Sequence, residues 1–163
     1  MHSKGEDPGS SVRAIADTHE AARAVGGSPQ SPEDTLVTAT ILVVDDDDPV
    51  RVMLARLLRT QGYQVLQAAH ANEARSLLDS QRPDLVISDI VMPGESGIEL
   101  RRSILDRWPE IPVILISGYS AEGPAEFAAR TANTMFVQKP FAADQFLALV
   151  GQTLAEAESR EQA

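Results

Sequence analysis

Five short aliphatic runs, each followed by a segment whose apolar residues recur at helical spacing, constrain the fold of this chain more than any other feature. The runs are ILVV at 41, YQVLQA at 63, DLVISD at 84, PVILIS at 112 and TMFVQ at 134. The candidate helices lie at about 49–61, 70–80, 97–107, 121–131 and 143–158. Runs of this length bounded by turn residues are typical of buried strands, and the intervening period is typical of helices that bury one face.

Alternating strands and helices predict parallel strand pairs, because each parallel connection needs a crossover that is usually a helix. We therefore predict an α/β fold of the flavodoxin-like type, a (βα)5 three-layer sandwich with a parallel sheet of order 2-1-3-4-5. In such a sheet the ligand site lies at the carboxyl ends of the strands, at the switch point between the first and third strands.

The composition changes near residue 40. The preceding segment is rich in Gly, Ser, Pro and acidic residues and has too few large apolar residues to form a core. We predict a flexible, disordered N-terminal tail over 1–39, one domain over 40–158 and a C-terminal tail over 159–163. The chain has 163 residues, 43% of them hydrophobic, and no cysteine, which excludes a disulfide framework and a thiolate metal site.

The charge of the chain restricts its partners. Fourteen basic and 24 acidic residues give a formal net charge of −10. This balance argues against nucleic acid or an anionic membrane as the main contact, and it favours a cation or a basic partner. No apolar run approaches the ~18–20 residues of a membrane span, and the first residues lack a secretory signal, so we expect a cytoplasmic protein.

Four consecutive aspartates, residues 45–48, directly follow the first aliphatic run. Two carboxylates about 4 Å apart repel by ~4 kcal/mol at an effective dielectric constant near 20, so a bound cation would offset a real cost. A solvated loop with one aspartate capping the next helix explains this stretch equally well. Asp48, followed by Pro49, is the predicted N-cap.

The predicted sheet favours a bound cation over a solvated loop as the explanation of the aspartate run. It brings Asp45 and Asp46, after the first strand, close to Asp89, after the third strand, and it adds Ser117 and Lys139 from the ends of the fourth and fifth strands. Oxygen ligands suit Mg²⁺, whereas Zn²⁺ would need thiolates or clustered histidines. A carboxylate, a divalent ion, a lysine and a hydroxyl together suit phosphoryl transfer to an aspartate.

Four segments resemble the response-regulator receiver domain, the CheY-like superfamily of two-component phosphorelay signalling, over about residues 40–158. They are ILVVDDDD at 41, SDIVMPGESGIEL at 88, VILISGYS at 113 and FVQKPF at 136.

The resemblance implies that Asp89 is the phosphoacceptor. It further implies that Asp46 ligates Mg²⁺ directly, that Asp45 acts largely through a metal-bound water, and that the backbone carbonyl of Val91 completes the protein ligands. Ser117 and Lys139 would bind phosphoryl oxygens.

The resemblance also implies partners and a switch. The phosphoryl donor would be a sensor histidine kinase or a histidine phosphotransfer protein, and the readout would be contact with a downstream protein, without nucleic acid or membrane. The chain would not be an enzyme beyond its own phosphorylation and autodephosphorylation. Ser117 stands where threonine is frequent, and Phe136, in the place of the switch aromatic, stands where tyrosine is frequent.

Simpler interpretations compete with these roles. Lys139 could be a surface charge, Ser117 a turn residue before Gly118, and Phe136 a core aromatic. An alternative of another class is a Mg²⁺-dependent haloacid-dehalogenase-like phosphatase, because Asp46, Asp48 and Val50 also satisfy a D-x-D-x-V pattern after a strand. That interpretation leaves Asp89 and its segment unexplained.

Overall fold

The computed structural model of the chain describes residues 38–118 and 122–162, which contain five strands and five helices in strict alternation. All neighbouring strands are parallel, and their order is β2-β1-β3-β4-β5, which confirms the predicted fold. The strands are β1 Thr40–Val44, β2 Gln64–Ala68, β3 Leu85–Asp89, β4 Val113–Ser117 and β5 Thr134–Gln138. The helices are α1 Asp48–Arg59, α2 Ala71–Gln81, α3 Gly97–Arg107, α4 Glu122–Arg130 and α5 Ala143–Gln162.

The sheet divides the core into two clusters, because successive side chains of a strand such as β1 point to opposite faces of the sheet. Ile41 and Val43 pack with Leu54 and Leu58 of α1 and with Phe146 of α5.

Leu42 and Val44 pack on the other face, with Leu78 of α2 and Leu100 of α3, and Phe127 of α4 lies at the edge of that cluster. The helices thus form two outer layers around the sheet, as a three-layer sandwich requires.

The register of the strands brings the carboxyl ends that carry the predicted site residues to one edge of the sheet. Val44 of β1 pairs with Ser88 of β3, one residue before Asp89. Ser117 pairs with Gln138, so that Lys139 follows directly. The carboxyl ends of β1, β3, β4 and β5 therefore lie side by side at one edge of the sheet.

Two helix boundaries differ from the predicted ones. Asp47, not Asp48, is the N-cap of α1, and its side chain accepts a hydrogen bond from the Val50 amide at 3.3 Å. Asp48 is instead the first helical residue, where a carboxylate interacts favourably with the helix dipole.

Helix α5 continues to Gln162, so residues 159–162, predicted as a tail, are helical. Arginine, glutamate and glutamine favour helix at 160–162, and Arg160 reaches Glu156 one turn back. The predicted N-terminal tail, apart from residues 38 and 39, lies outside the described residues. Within the described ranges, no helix has both the length and the apolar character of a membrane span.

A buried arginine at the opposite end of the sheet from the strand carboxyl ends was not predicted. Arg101 of α3 is 0% exposed. Its guanidinium donates to Thr134 Oγ1 at 2.8 Å and to the carbonyls of Ile111, Ala132 and Asn133 at 3.0, 2.7 and 3.2 Å. Burial lowers its pKa to about 10. These bonds tie α3 to the segments that enter β4 and β5.

Candidate functional site

The first two carboxylates of the site follow β1, and one of them is buried. Asp45 is 2% exposed, its Oδ1 accepts a hydrogen bond from the Asp47 amide at 2.9 Å, and its carbonyl accepts one from Arg51 Nη1 at 2.8 Å. Asp46 is exposed. Sequence reasoning missed Arg51, although its spacing of three residues from Asp48, with which it pairs at 2.6 Å, was a usable signal.

Asp89, the last residue of β3, is half-buried beside them. One oxygen each from Asp45, Asp46 and Asp89 lies within 4.8 Å of the other two. The backbone holds Asp89 closely, because Ser88 Oγ donates to the Asp89 carbonyl at 2.9 Å and the Ile90 amide donates to Ile116 O at 2.9 Å. The predicted convergence of three carboxylates is therefore present in the structure.

Lys139 reaches this cluster from the end of β5. Its Nζ lies 3.5 Å from Oδ1 of Asp89 and 3.7 Å from Oδ2 of Asp45. Its amide donates to the Ser117 carbonyl at 2.8 Å, and Ser117 is 1% exposed. The structure thus brings Lys139 to the carboxylates and places Ser117 at the neighbouring strand end. A lysine that closes a strand at the surface would not make these contacts.

Burial controls the titration of the two inner carboxyl groups. It is the largest cause of the raised pKa of Asp45, which the hydrogen bond from Asp47 and the charge of Lys139 oppose. Burial also raises the pKa of Asp89, again against Lys139, and the nearby carboxylates Asp45 and Asp46 raise it further. The repulsion between like charges that we expect from the sequence does raise both pKa values, but its contribution is smaller than that of burial.

The donor set fits a hard divalent cation. All the converging side-chain groups are carboxylate oxygens, which Mg²⁺ prefers, and one charged amine stands beside them. A raised carboxyl pKa means that the ionised cluster is under-compensated, and a cation would supply the missing charge.

The remaining predicted residues occupy the rim of the site and the sheet. Val91 is the second residue of the connection from β3 to α3 and is 53% exposed. Phe136 lies on β5, is half-buried and packs against the cluster of α2 and α3, so its contacts fit a core aromatic and its switch role stays a prediction. Tyr119, two residues after Ser117, which we predict from the sequence to screen the approach of water to the phosphorus, lies outside the described residues.

An open cleft of about 540 Å³ adjoins Asp46 and was not predicted. The start of α2 forms one wall, where His70 caps the helix by accepting from the Glu73 amide. The connection from β3 to α3, including Gly94 and Glu95, forms the other wall. The cleft leads from solvent to the exposed carboxylate of the site.

Comparison with known proteins agrees with this geometry. The sequence model of the response regulator receiver domain matches residues 41–151. The DNA-binding transcriptional regulator NtrC of Salmonella typhimurium is 34% identical over 122 residues, which are 75% of this chain and 26% of that protein. The sensor kinase CckA of Brucella abortus is 35% identical over 119 residues, 72% of this chain and 13% of that protein. The chain thus spans about a quarter or less of these relatives.

Solved structures show the same likeness. The receiver domain of NtrX from Brucella abortus has a TM-score of 0.67 and 33% identity, with 71% of this chain and 98% of that chain covered. A CheY-like receiver domain protein from Methanospirillum hungatei has a TM-score of 0.71 and 26% identity, with 76% and 99% covered.

The haloacid-dehalogenase alternative finds no support in these comparisons. Asp48, the second aspartate of its pattern, is the first residue of α1 and pairs with Arg51. The matched residues 41–151 also include Asp89, Ser117 and Lys139, which the D-x-D-x-V pattern leaves unexplained. The chain therefore belongs to the response regulator receiver domain family of two-component signalling proteins.

Proposed function

We propose that this receiver domain accepts a phosphoryl group on Asp89 from the phosphohistidine of a sensor kinase or histidine phosphotransfer protein. One observation carries the assignment: among the described acidic residues, Asp89 joins the carboxylate cluster from the third strand and lies within 3.5 Å of Lys139 Nζ. An Asp89 oxygen attacks the phosphorus, the P–N bond of phosphohistidine breaks, and the imidazole leaves with the bonding electron pair.

The surrounding residues position the acceptor. We assign Asp46, Asp45, Asp89 and the Val91 carbonyl to holding Mg²⁺, with Asp45 acting largely through a bound water. The ion supplies positive charge against the phosphoryl oxygens. Lys139, which pairs with Asp89, would bind one phosphoryl oxygen and Ser117 another, which would keep the group in line for transfer.

The readout we propose is contact with a downstream protein. The net charge of −10 supports a protein target over direct binding to nucleic acid by this domain. The chemistry of the domain itself is its own phosphorylation and dephosphorylation. We also propose that the receiver domain extends from residue 40 to residue 158. Helix α5 continues beyond that boundary to Gln162.

Asp89→Asn tests the acceptor. The variant should take up no phosphoryl group from a small acyl-phosphate donor with Mg²⁺, as followed by intact mass, because an amide oxygen is a poor nucleophile. Asp84→Asn is the matched control, since Asp84 precedes the same strand at its other end and an amide oxygen can still accept from the Thr40 amide. Uptake by Asp89→Asn equal to that of the wild type would refute the assignment.

A further inference from the structure

The connection from β3 to α3, residues 90–96, carries the Val91 carbonyl. Backbone hydrogen bonds fix both of its ends, because the Ile90 amide donates to Ile116 O and the Gly97 amide donates to Ile90 O, each at 2.9 Å. Residues 91–95 of this connection make one polar contact with another element among the described residues. It is the ion pair of Glu95 with Arg75 of α2. The polar restraint on the middle of the connection is therefore this one arginine, and it adds to the apolar packing of Met92, which is buried in the cluster of α2 and α3.

Arg75 contacts three parts of the molecule. Its Nη2 donates to Glu95 and, at 3.2 Å, to Ser103 Oγ of α3, while Nη1 donates to Asn72 Oδ1 of α2 at 3.2 Å. The side chains of Arg75 and Glu95 are only 25% and 28% exposed, so solvent screens the pair less than a surface pair. The hydrogen bond from Arg75 to Glu95 raises the arginine pKa.

On the basis of the function proposed above, we propose that Arg75 is a positioning residue for the metal site. By holding Glu95 it fixes the connection from β3 to α3, and with it the Val91 carbonyl that would serve as a ligand. Val91 lies four residues before Glu95, so a displacement at Glu95 passes along a short chain. Mg²⁺ demands a nearly octahedral set of short ligand distances, so its affinity is sensitive to the placement of each oxygen.

Charge and position must be separated in the test. Glu95 lines the same cleft as Asp46, so removal of Arg75 alone leaves a carboxylate unpaired near the metal site. That added negative charge attracts a cation and opposes the loss of positioning. The double variant Arg75→Gln/Glu95→Gln removes the ion pair without changing the net charge, and it therefore reports position alone.

The chain provides a matched control. Arg107 of α3 and Asp79 of α2 form a second ion pair between the same two helices, at 2.8 Å and about half exposed. Arg107→Gln/Asp79→Asn also leaves the net charge unchanged, and neither residue lines the cleft. Any general effect of loosening α2 from α3 should appear in both double variants.

The experiment is calorimetric titration of the full 163-residue chain with Mg²⁺, together with the Mg²⁺ dependence of phosphorylation by an acyl-phosphate donor. We expect the Mg²⁺ dissociation constant of Arg75→Gln/Glu95→Gln to rise about three- to tenfold, somewhat less than for residues that contact a metal ligand directly. The Mg²⁺ concentration for half-maximal phosphorylation should rise by the same factor, while the rate at saturating Mg²⁺ stays near that of the wild type. The control pair should match the wild type in both measurements.

Three results would overturn the inference: an unchanged dissociation constant in Arg75→Gln/Glu95→Gln, an equal rise in the control pair, or a lower saturating rate without a change in Mg²⁺ affinity. Failure of the proposed function gives different results. Phosphorylation of Asp89→Asn refutes the acceptor but leaves the calorimetric comparison intact. Absence of Mg²⁺ binding by the wild type refutes the metal site and the role of Arg75 together.

Discussion

The three aspartates of the site have different surroundings, so the free-energy cost of ionising each carboxyl group differs. Asp45 and Asp89 are raised in pKa chiefly because they are buried, whereas Asp46 is exposed and acts on them as a nearby negative charge. A raised carboxyl pKa means that the folded state binds protons more tightly than the unfolded state. The stability that this contributes is present below the ordinary value of 3.8 and is lost as pH rises through the raised pKa.

Replacement of Asp46 should therefore stabilise the protein in the absence of metal. We expect Asp46→Ala to raise the free energy of unfolding by about 0.5 kcal/mol. The gain is small because Asp46 is exposed and its removal only relieves repulsion between carboxylates. Tm should rise by about 1–2 °C for a chain of this size. The rise in Tm that Mg²⁺ gives the wild type should disappear, because binding to the folded state is what stabilises it.

Thermal melts with and without Mg²⁺ measure both effects. Asp106→Ala is a suitable control for the metal effect, because Asp106 is an exposed carboxylate of α3 outside the cluster. It should keep the full Mg²⁺-induced shift. A clear loss of stability in metal-free Asp46→Ala would reveal a structural role for Asp46.

The side chain of Val91 should affect how long the phosphoryl group persists. It is half-exposed at the site and can neither donate to nor accept from a water that approaches the phosphorus. We expect Val91→Asn to lose the phosphoryl group about three- to tenfold faster in Mg²⁺, well short of the effect of a positioned general base.

The decay is followed after removal of the donor, with Val52→Asn, an exposed valine of α1, as the control. Equal or slower decay in Val91→Asn would show that Val91 does not limit access of water. The screening role predicted for Tyr119 would then be the next to test.

The residues of the site could be predicted from the sequence because parallel strands end at one edge. Five parallel runs in the order 2-1-3-4-5 bring Asp45, Asp89 and Lys139 together. The order of causes behind the pKa values could not be predicted, because it depends on how much protein covers each carboxyl group. Arg75 and Glu95 were missed because twenty residues separate them and neither follows a strand.

At the scale of elements, the start of α3 is built against the acceptor strand. A Cβ atom on Gly97 would lie 2.3 Å from the Asp89 carbonyl oxygen, a distance at which the backbone must move. A capping box of Ser96 and Glu99 fixes the same helix start. The first turn of α3 therefore helps to set the position of Asp89.

Gly97→Ala should displace α3 and destabilise the protein by about 1–3 kcal/mol, the usual cost of overpacking. Phosphorylation should slow as well, since the displaced atom belongs to Asp89. Gly123→Ala in α4 is the matched control: its Cβ would meet no atom within 4 Å, so the higher helix propensity of alanine should leave stability unchanged or raised. Urea unfolding and phosphorylation rates distinguish the two variants, and equal behaviour would contradict this role of Gly97.

Element boundaries were less predictable than the elements. The strands followed from aliphatic content, but the choice of Asp47 over Asp48 as N-cap depends on one backbone angle. His70 was missed as a cap, because histidine is an uncommon N-cap and its ring nitrogen replaces the usual oxygen. The end of α5 was missed because residues 159–162 bury little apolar surface and give no periodic signal.

At the scale of the whole molecule, one end of the sheet carries the charged site and the other end is held by Arg101. The four acceptors of Arg101 belong to segments that enter β4 and β5. Among the acidic residues that the structure describes, none pairs with it. The sequence gives no sign of such a buried cation, because Arg101 and the exposed Arg102 stand next to each other.

Arg101→Met should keep the shape of the side chain and lose its hydrogen bonds. We expect a loss of about 2–4 kcal/mol in the free energy of unfolding, since carbonyls are left unsatisfied while the cost of burying a charge is relieved. Arg102→Met, which loses only a contact with the Phe127 ring at 5.4 Å, should cost about 0.5 kcal/mol. Urea unfolding measures both, and similar values for the two variants would contradict the role of Arg101.

The two separate clusters on either side of β1 bear on how such a domain diversifies. Substitutions beneath α1 and α5 meet neighbours that differ from those beneath α2, α3 and α4, and the sheet stands between them. Substitutions can therefore accumulate in one outer layer during evolution while the packing of the other layer is kept. Change in either layer is limited where a helix holds the site, since Arg51 of α1 donates to the Asp45 carbonyl and Gly97 of α3 lies against the Asp89 carbonyl.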